Sequence, residues 1–400
     1  MGEVTVSVTR RYVPLDLDVS DWGQLEPLYQ ELLARPLDGV AALRDWLRDY
    51  SELSAVVGEF GARRHIEQSC HTEDAQIEKA FMHWVEEISP RLKPIGFELE
   101  KKFIACPHRE ALGDVKFTVM AREWAADVEL FRAENVPLET QATKTVTRYD
   151  KLVGAMMVEF DGKTQTLQQM ARYQEEPDRA VREEAWTLST RRRLADRAAI
   201  DDVFDELLEL RGKIANNAGF ADYRSYAWKS KCRFDYTPED CLRFGDAIAT
   251  AVVPLVEKMD GRRRALLGVE ALRPWDLAVD PRNRPALKPF ASDDVKRLVE
   301  GTREVFGRVS PALAADFGRL QWGRNLDLDS RRGKRAGGYQ SSLLETGEPF
   351  IFMNAVGLQR DVETLLHEGG HAFHFVWGRR EPLVFLQSAP IEFCEVASMS

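Results

Sequence analysis

The chain lacks any apolar run close to the roughly 20 consecutive residues that a membrane-spanning helix needs. It also lacks an apolar leader, since its N-terminus is charged and strand-like. Cysteine is scarce: five residues in 400, scattered and without C-x-x-C spacing, so a disulfide framework and a cysteine-rich zinc ribbon are both excluded. That usage suits reduced thiols and a cytoplasmic setting. Positive charge is in deficit, with a net charge of -10 and no offsetting Lys/Arg stripe, so no nucleic-acid partner is expected. Two local basic runs, Arg191-Arg192-Arg193 and Arg331-Arg332-Gly333-Lys334-Arg335, read as solvated faces or anion contacts. The pattern predicts a globular chain, without a membrane partner and with an undetermined oligomeric state.

Glycine and proline are sparse from Leu25 to Ile88, where apolar residues recur at three- and four-residue steps, and that spacing predicts helix. Residues 1–20 read as an irregular arm, and Pro90 and Pro94 as breaks. Large apolar groups (Phe97, Phe103, Phe117, Trp124) return over 97–131. Met156 to Phe160 and Thr164 to Leu167, separated by Asp161-Gly162, predict a short hairpin. Asp178 caps one or two helices that end before Gly219. Thr237-Pro238-Glu239-Asp240 is a helix start whose helix should turn Leu242, Ile248 and Val252 toward a core. Residues 268–291, rich in proline, predict a connection. Two short strands, Gly337 to Gln340 and Phe350 to Met353, flank a turn containing Gly347. The expected fold is mainly α, with a small β-sheet beside a helix from about Leu358 to Phe375.

That helix carries His367-Glu368-Gly369-Gly370-His371, an H-E-x-x-H pattern. Imidazoles four residues apart share one helix face and can converge on one zinc ion. Glu368, next to the first, can take a proton from water activated by that ion. A catalytic zinc has a third protein ligand. Candidates are His374, Glu392 and Glu395. His374 stands roughly 10 Å from His367 by axial rise, which suits a neighbour better than a ligand. Glu392 and Glu395 lie three apart on a helix opened by Pro390, so one could bind the ion while the other orients an imidazole. Spacing alone does not separate them. Glu363, a turn before His367, could hydrogen-bond a ligand imidazole. A strand edge beside such a site can hold an extended peptide by its main chain.

The chain resembles the M3 family of zinc metallopeptidases, closest to the oligoendopeptidase F branch. The likeness lies in His367 to His374, in Phe393-Cys394-Glu395-Val396-Ala397-Ser398, and upstream in Asp178-Arg179, Arg331-Gly333-Lys334, Gly337-Gly338-Tyr339, Phe350 to Asn354 and Phe131 to Leu138. It implies a multi-helical, zincin-type fold and one zinc ion held by His367, His371 and Glu395, with Glu368 as catalytic base. Tyr339, Asn354, Glu363, His374 and Glu392 are expected in the cleft or around the ligands. The implied activity is hydrolysis of short unfolded oligopeptides in a channel. Residues 1–130 are then an N-terminal helical region forming one wall, 131–190 a helical and hairpin segment, and 191–400 the catalytic domain. Family members are longer, and their C-terminal part supplies a histidine and tyrosines, so an incomplete catalytic domain is also implied, and the 400-residue piece alone is expected to be weakly active or inactive. The alternative is a catalytically impaired, peptide-binding or scaffold relative.

Overall fold

The structure is a computed structural model that describes residues 10–292, 294–320 and 324–400. Part of the expected N-terminal arm therefore lies outside the described residues, and 10–21 form turns leading into α1 (Trp22–Ala34). The first core is built by α1, α2 (Val40–Cys70), α3 (Ala75–His83), α4 (Ser89–Ala105) and α5 (Val115–Leu130). Leu25, Trp46, Leu53, Leu99, Phe103 and Trp124 are buried together there, and the Trp46 indole donates to the Leu32 carbonyl at 2.9 Å. Capping is local and acidic: Asp21, Asp74 and Asp114 each accept first-turn N–H groups, which otherwise have no intrahelical partner.

Pro90 and Pro94 do not break the helical run. Trp84–Ile88 form a π-turn that joins α3 to α4 without a gap. Pro90 falls in the first turn, where a missing N–H costs nothing. Pro94 is carried inside α4, and the buried Leu99 and Phe103 anchor the helix beyond it.

The middle of the chain holds α6 (Asn135–Gly154), β1 (Met157–Phe160), β2 (Lys163–Thr166), α7 (Leu167–Met170), α8 (Arg179–Ala195), α9 (Arg197–Asn217) and α10 (Tyr223–Ser230). The hairpin turns at Asp161 and Gly162, both left-handed (φ 53° and 69°), as a two-residue turn requires. Next come α11 (Pro238–Ala251) and α12 (Val253–Leu267). The Thr237–Asp240 capping box forms, but Leu242, Ile248 and Val252 do not reach a core; all three are exposed. These two helices pack mainly on each other, so their apolar residues find no cover among the described residues.

A second core surrounds the motif helix. It contains α13 (Val295–Val309), α14 (Pro311–Phe317), β3 (Leu326–Asp329), β4 (Tyr339–Leu343), β5 (Glu348–Ala355), α15 (Gln359–Gly378) and α16 (Ile391–Met399). The two expected strands pair antiparallel through the Gly347 turn, and β3 adds a third, parallel to β5, giving the order β3-β5-β4. Strand β4 is thus an edge. No helix of the described residues is long and apolar enough to cross a membrane.

Of the basic run 331–335 only Arg332 is exposed, and the other basic side chains contact carboxylates. Lys334 is buried, and its Nζ donates to the Asp327 carboxylate (2.7 Å) and to the carbonyls of Asp327, Asp329 and Met353. Arg331 clasps Asp327 at 2.6 and 2.7 Å and reaches the Cys70 carbonyl at the end of α2. Burial alone would raise the Asp327 pKa, but Arg331 and Lys334 outweigh it and hold that carboxyl well below the usual range. The run is the joint that fixes β3, β5 and α2 to one another.

One half-buried acid of α4 generates a pH test. Burial, then the neighbouring Asp127 carboxylate, pushes Glu100 up to about 8 from 4.5. A raised folded-state pKa gives stability that is complete below pH 4.5 and lost as pH climbs through about 8. Glu100→Gln should therefore raise the thermal midpoint over wild type at pH 9 and change it little at pH 4.5. Equal effects at both pH values would show that the Glu100 carboxyl is not shielded from water by the fold.

Candidate metal centre

Helix α15 begins where Asp361 accepts the backbone N–H groups of Val356, Gly357 and Leu358, each at 2.8 Å. This turn, with Gly357 at φ 95°, fixes the first helical residue and hence the rotation of everything after it. One stripe of the helix (Leu365, Ala372, Phe373) is buried against the core of Phe306, Phe317, Ile351 and Met353. The adjoining face presents His367, His371 and His374 to a cavity of about 620 Å³. Gly338, Tyr339, Gln340 and Ser342 of the β4 edge form its roof, and Glu395 its far side.

The glycines between the two histidines have separate tasks. A Cβ on Gly369 would stand 2.8 Å from the Phe306 ring, inside the core. A Cβ on Gly370 would stand 2.5 Å from Ser398 Cα and 3.0 Å from Ser398 O, which are main-chain atoms of α16. Only glycine lets α16 cross α15 this closely. The crossing brings Glu395 to the imidazoles, with Oε2 3.5 Å from His367 Nε2 and Oε1 3.8 Å from His371 Nε2.

One donor atom from each of His367, His371 and Glu395 lies within 4.8 Å of the others. Donors bound to a tetrahedral zinc ion at roughly 2.0–2.2 Å stand roughly 3.3–3.6 Å apart, so this set fits such an ion with small side-chain adjustments. Burial, reinforced by the two neighbouring histidines and opposed by Glu395, lowers the His371 pKa and favours the neutral imidazole that a metal requires. Glu368 is buried beneath β4. Burial first, then the Glu395 carboxylate, pushes it up to about 7, and the Gln340 backbone partly offsets the rise.

The surrounding residues divide. His374 lines the same cavity a turn beyond His371, outside the three-donor cluster. Tyr339 also lines it; its ring stacks on Phe352 and its hydroxyl lies 2.7 Å from Ser69 Oγ. Ser69 donates its own proton to the His65 carbonyl, so Tyr339 is the donor of that pair. Glu363, Glu392 and Asn354 stand apart from the imidazoles. Glu363 is exposed, a full turn away, where its carboxylate stays hydrated at no cost. Glu392 is drawn the other way, to Arg233 Nε (2.7 Å) and the Tyr236 hydroxyl. Asn354 ties the entry to β4 by donating to the carbonyls of Arg335 and Gly337, each at 2.9 Å. Sequence reasoning missed Asp361 and the division of labour between Gly369 and Gly370. The Gly-Gly pair inside a helix was the available signal, because each glycine there weakens a helix unless something must come close.

A two-histidine helix crossed by a glutamate-bearing helix, under a sheet edge in a mainly helical chain, is a centre of the zincin class. Comparison with known proteins narrows this. The profile described as Peptidase family M3 matches residues 172–400, and that of the Peptidase M3 N-terminal domain matches 14–131. An oligoendopeptidase F homolog of Lactococcus lactis subsp. lactis is 26% identical over 183 residues, which is 44% of this chain and 29% of that protein. The group B oligopeptidase PepB of Streptococcus agalactiae is 22% identical over 224 residues, 56% of this chain and 36% of that protein. The matched stretches thus span about a third of these relatives' own lengths. Among solved structures, a chain assigned as oligoendopeptidase F from Bacillus anthracis str. Ames superposes with a TM-score of 0.89 at 24% identity, covering 96% of this chain and 70% of that one. PZ peptidase A with an inhibitor gives 0.90 at 23%, covering 97% and 69%. Both likenesses establish the fold. The chain belongs to peptidase family M3 and is oligoendopeptidase-F-like.

The two glycines generate a paired test. Gly370→Ala should push α16 off and weaken zinc binding roughly 10- to 100-fold, the range typical of changes just outside a ligand set. Gly369→Ala should instead cost roughly 1–3 kcal/mol of stability by overpacking, with a smaller effect on zinc. Chelator competition and thermal denaturation measure the two effects; the reverse ranking would refute the assignment.

Proposed function

We propose that this chain carries the metal centre of a zinc-dependent endopeptidase that hydrolyses short, unfolded oligopeptides. The observation that supports it most is the convergence of His367, His371 and Glu395, with Glu368 buried beside them. A zinc ion bound there would polarise the scissile carbonyl and lower the pKa of water to roughly 7. His367, His371 and Glu395 are the residues that would hold it. Glu368 is proposed as the base: its carboxylate takes the proton of the attacking water and returns it to the leaving amine. A carboxyl whose pKa lies near neutrality suits both transfers.

The β4 edge supports a peptide rather than some other amide as substrate. Its side away from β5 is not paired with a strand among the described residues, and Tyr339, Gln340 and Ser342 of the strand line the cavity. An extended chain laid along that edge would be read by its main chain, so recognition would depend little on its side chains. We place the protein in the cytoplasm on its cysteine usage.

A second reading, a peptide-binding relative with impaired catalysis, is favoured by one feature. Among the described residues the cavity lining contains no Lys or Arg, and the Tyr339 hydroxyl is already donated to Ser69. The side-chain donors in the lining are then amides, hydroxyls and the His374 ring, with no Lys or Arg to face a developing oxyanion. Loss of one such donor costs roughly 3–4 kcal/mol in the transition state.

Turnover separates the two. The zinc-loaded full-length protein should cleave quenched fluorescent oligopeptides, and Glu368→Gln in it should reduce turnover roughly 10²- to 10⁴-fold with zinc content unchanged. Binding of peptides without cleavage would support the second reading. Retained turnover in Glu368→Gln would remove that residue from its role.

A further inference from the structure

The metal ligands come from two helices that are held in different ways. Helix α15 is fixed by a buried stripe. Helix α16 has no buried residue at all, and Ile391, Phe393, Val396 and Met399 are exposed. It is held by its backbone crossing at Gly370 and by Glu392 bound to Arg233 and Tyr236, but by no buried side chain of its own.

The connection between them, residues 379–390, is not an ordinary surface loop. Leu383 is 6% exposed and belongs to the core of the N-terminal helices, far from α15 in sequence. The Phe385 ring lies 4.9 Å from Tyr50 and meets Trp124 edge-on at 5.0 Å. The Val384 N–H donates to the Ser51 hydroxyl oxygen at 2.9 Å. At its start, Gly378 lets the returning chain close in, since a Cβ there would stand 2.4 Å from the Gln387 carbonyl oxygen. The chain leaves α15, plants three consecutive residues in α2 and α5, and only then begins α16.

We infer that the segment Leu383–Phe385, seated in the N-terminal helical core, is a positioning device for the third metal ligand. It fixes the start of α16 from outside the metal domain, and Gly370 then admits the helix at the depth where Glu395 reaches the histidines. Phe385, Leu383 and Ser51 are positioning residues: none lines up with the donor atoms, and each acts through Glu395. The N-terminal region therefore has a part in building the site as well as in flanking it. This rests on the zinc reading given under Proposed function.

A double-mutant cycle tests it, with zinc affinity measured by chelator competition on the whole chain. Phe385→Ala should weaken zinc binding about tenfold. In a Glu395→Gln background the same substitution should change affinity less than about twofold, because the ligand it positions is already impaired. Phe385→Leu, which keeps an apolar plug, should stay near wild type. A folded Phe385→Ala protein that binds zinc like wild type would overturn the proposal, and so would an equal loss in both backgrounds. If Phe385→Ala does not fold, Ser51→Ala removes only the acceptor for Val384 and enters the same cycle, where the same outcomes support or overturn the proposal. If wild type binds no zinc, the metal reading fails by itself. The tether is then judged by amide hydrogen exchange in 391–399, which Phe385→Ala should accelerate; unchanged exchange would overturn it.

Discussion

Two helix backbones meet at Gly370 more closely than any side chain would permit, and the site depends on that contact. Histidines one turn apart need only a helix to face the same way. A carboxylate from elsewhere must be delivered to within a few tenths of an ångström. Here delivery follows from a missing methyl group: Ser398 of α16 occupies the space a Cβ would take. Gly369, its neighbour, does the same for the Phe306 ring about 100° round the helix. Helix α15 is thereby wedged between an aromatic core and a second helix, and its histidines have little freedom to turn away.

The surroundings transmit this constraint outward. Asp361 sets the start of α15. Lys334 and Asp327 lock β3 to β5, and Arg331 extends that lock to α2. The β4–β5 turn is held from the same helix: the buried Glu59 carboxylate accepts the backbone N–H groups of Glu345 and Thr346 at 2.9 and 2.8 Å. Ser69, further along α2, receives the Tyr339 hydroxyl. One long helix of the N-terminal region thus supports the sheet edge over the metal centre, the turn at its end, and the tether that leads to Glu395.

The motif and the overall class were legible in the sequence because both rest on local periodicity. Two histidines at helical spacing, apolar steps of three and four, and an Asp-Gly turn are each set by near neighbours. Position along the chain did not disclose the partners of long-range contacts. Leu242, Ile248 and Val252 have the spacing of a core face, yet spacing cannot say whether anything lies opposite, and they are exposed. Lys334 sits in a run of like charge that reads as solvated, and only the fold reveals the three carbonyls and the carboxylate around it. Pro94 signals a break by its chemistry, but the buried Leu99 and Phe103 beyond it hold α4 together. Between Glu392 and Glu395 spacing did not discriminate. In the structure Arg233 and Tyr236 engage the first, and the second faces the imidazoles.

The central claim is that one metal ion can be gripped by His367, His371 and Glu395 together. X-ray absorption at the zinc edge of the loaded chain tests it most directly, compared with a Glu395→Ala chain. The expected result is one zinc per chain with two imidazole nitrogens at roughly 2.0–2.1 Å and one carboxylate oxygen that disappears in the variant. Zinc bound with fewer than two imidazoles, or a coordination shell unchanged by loss of Glu395, would contradict it.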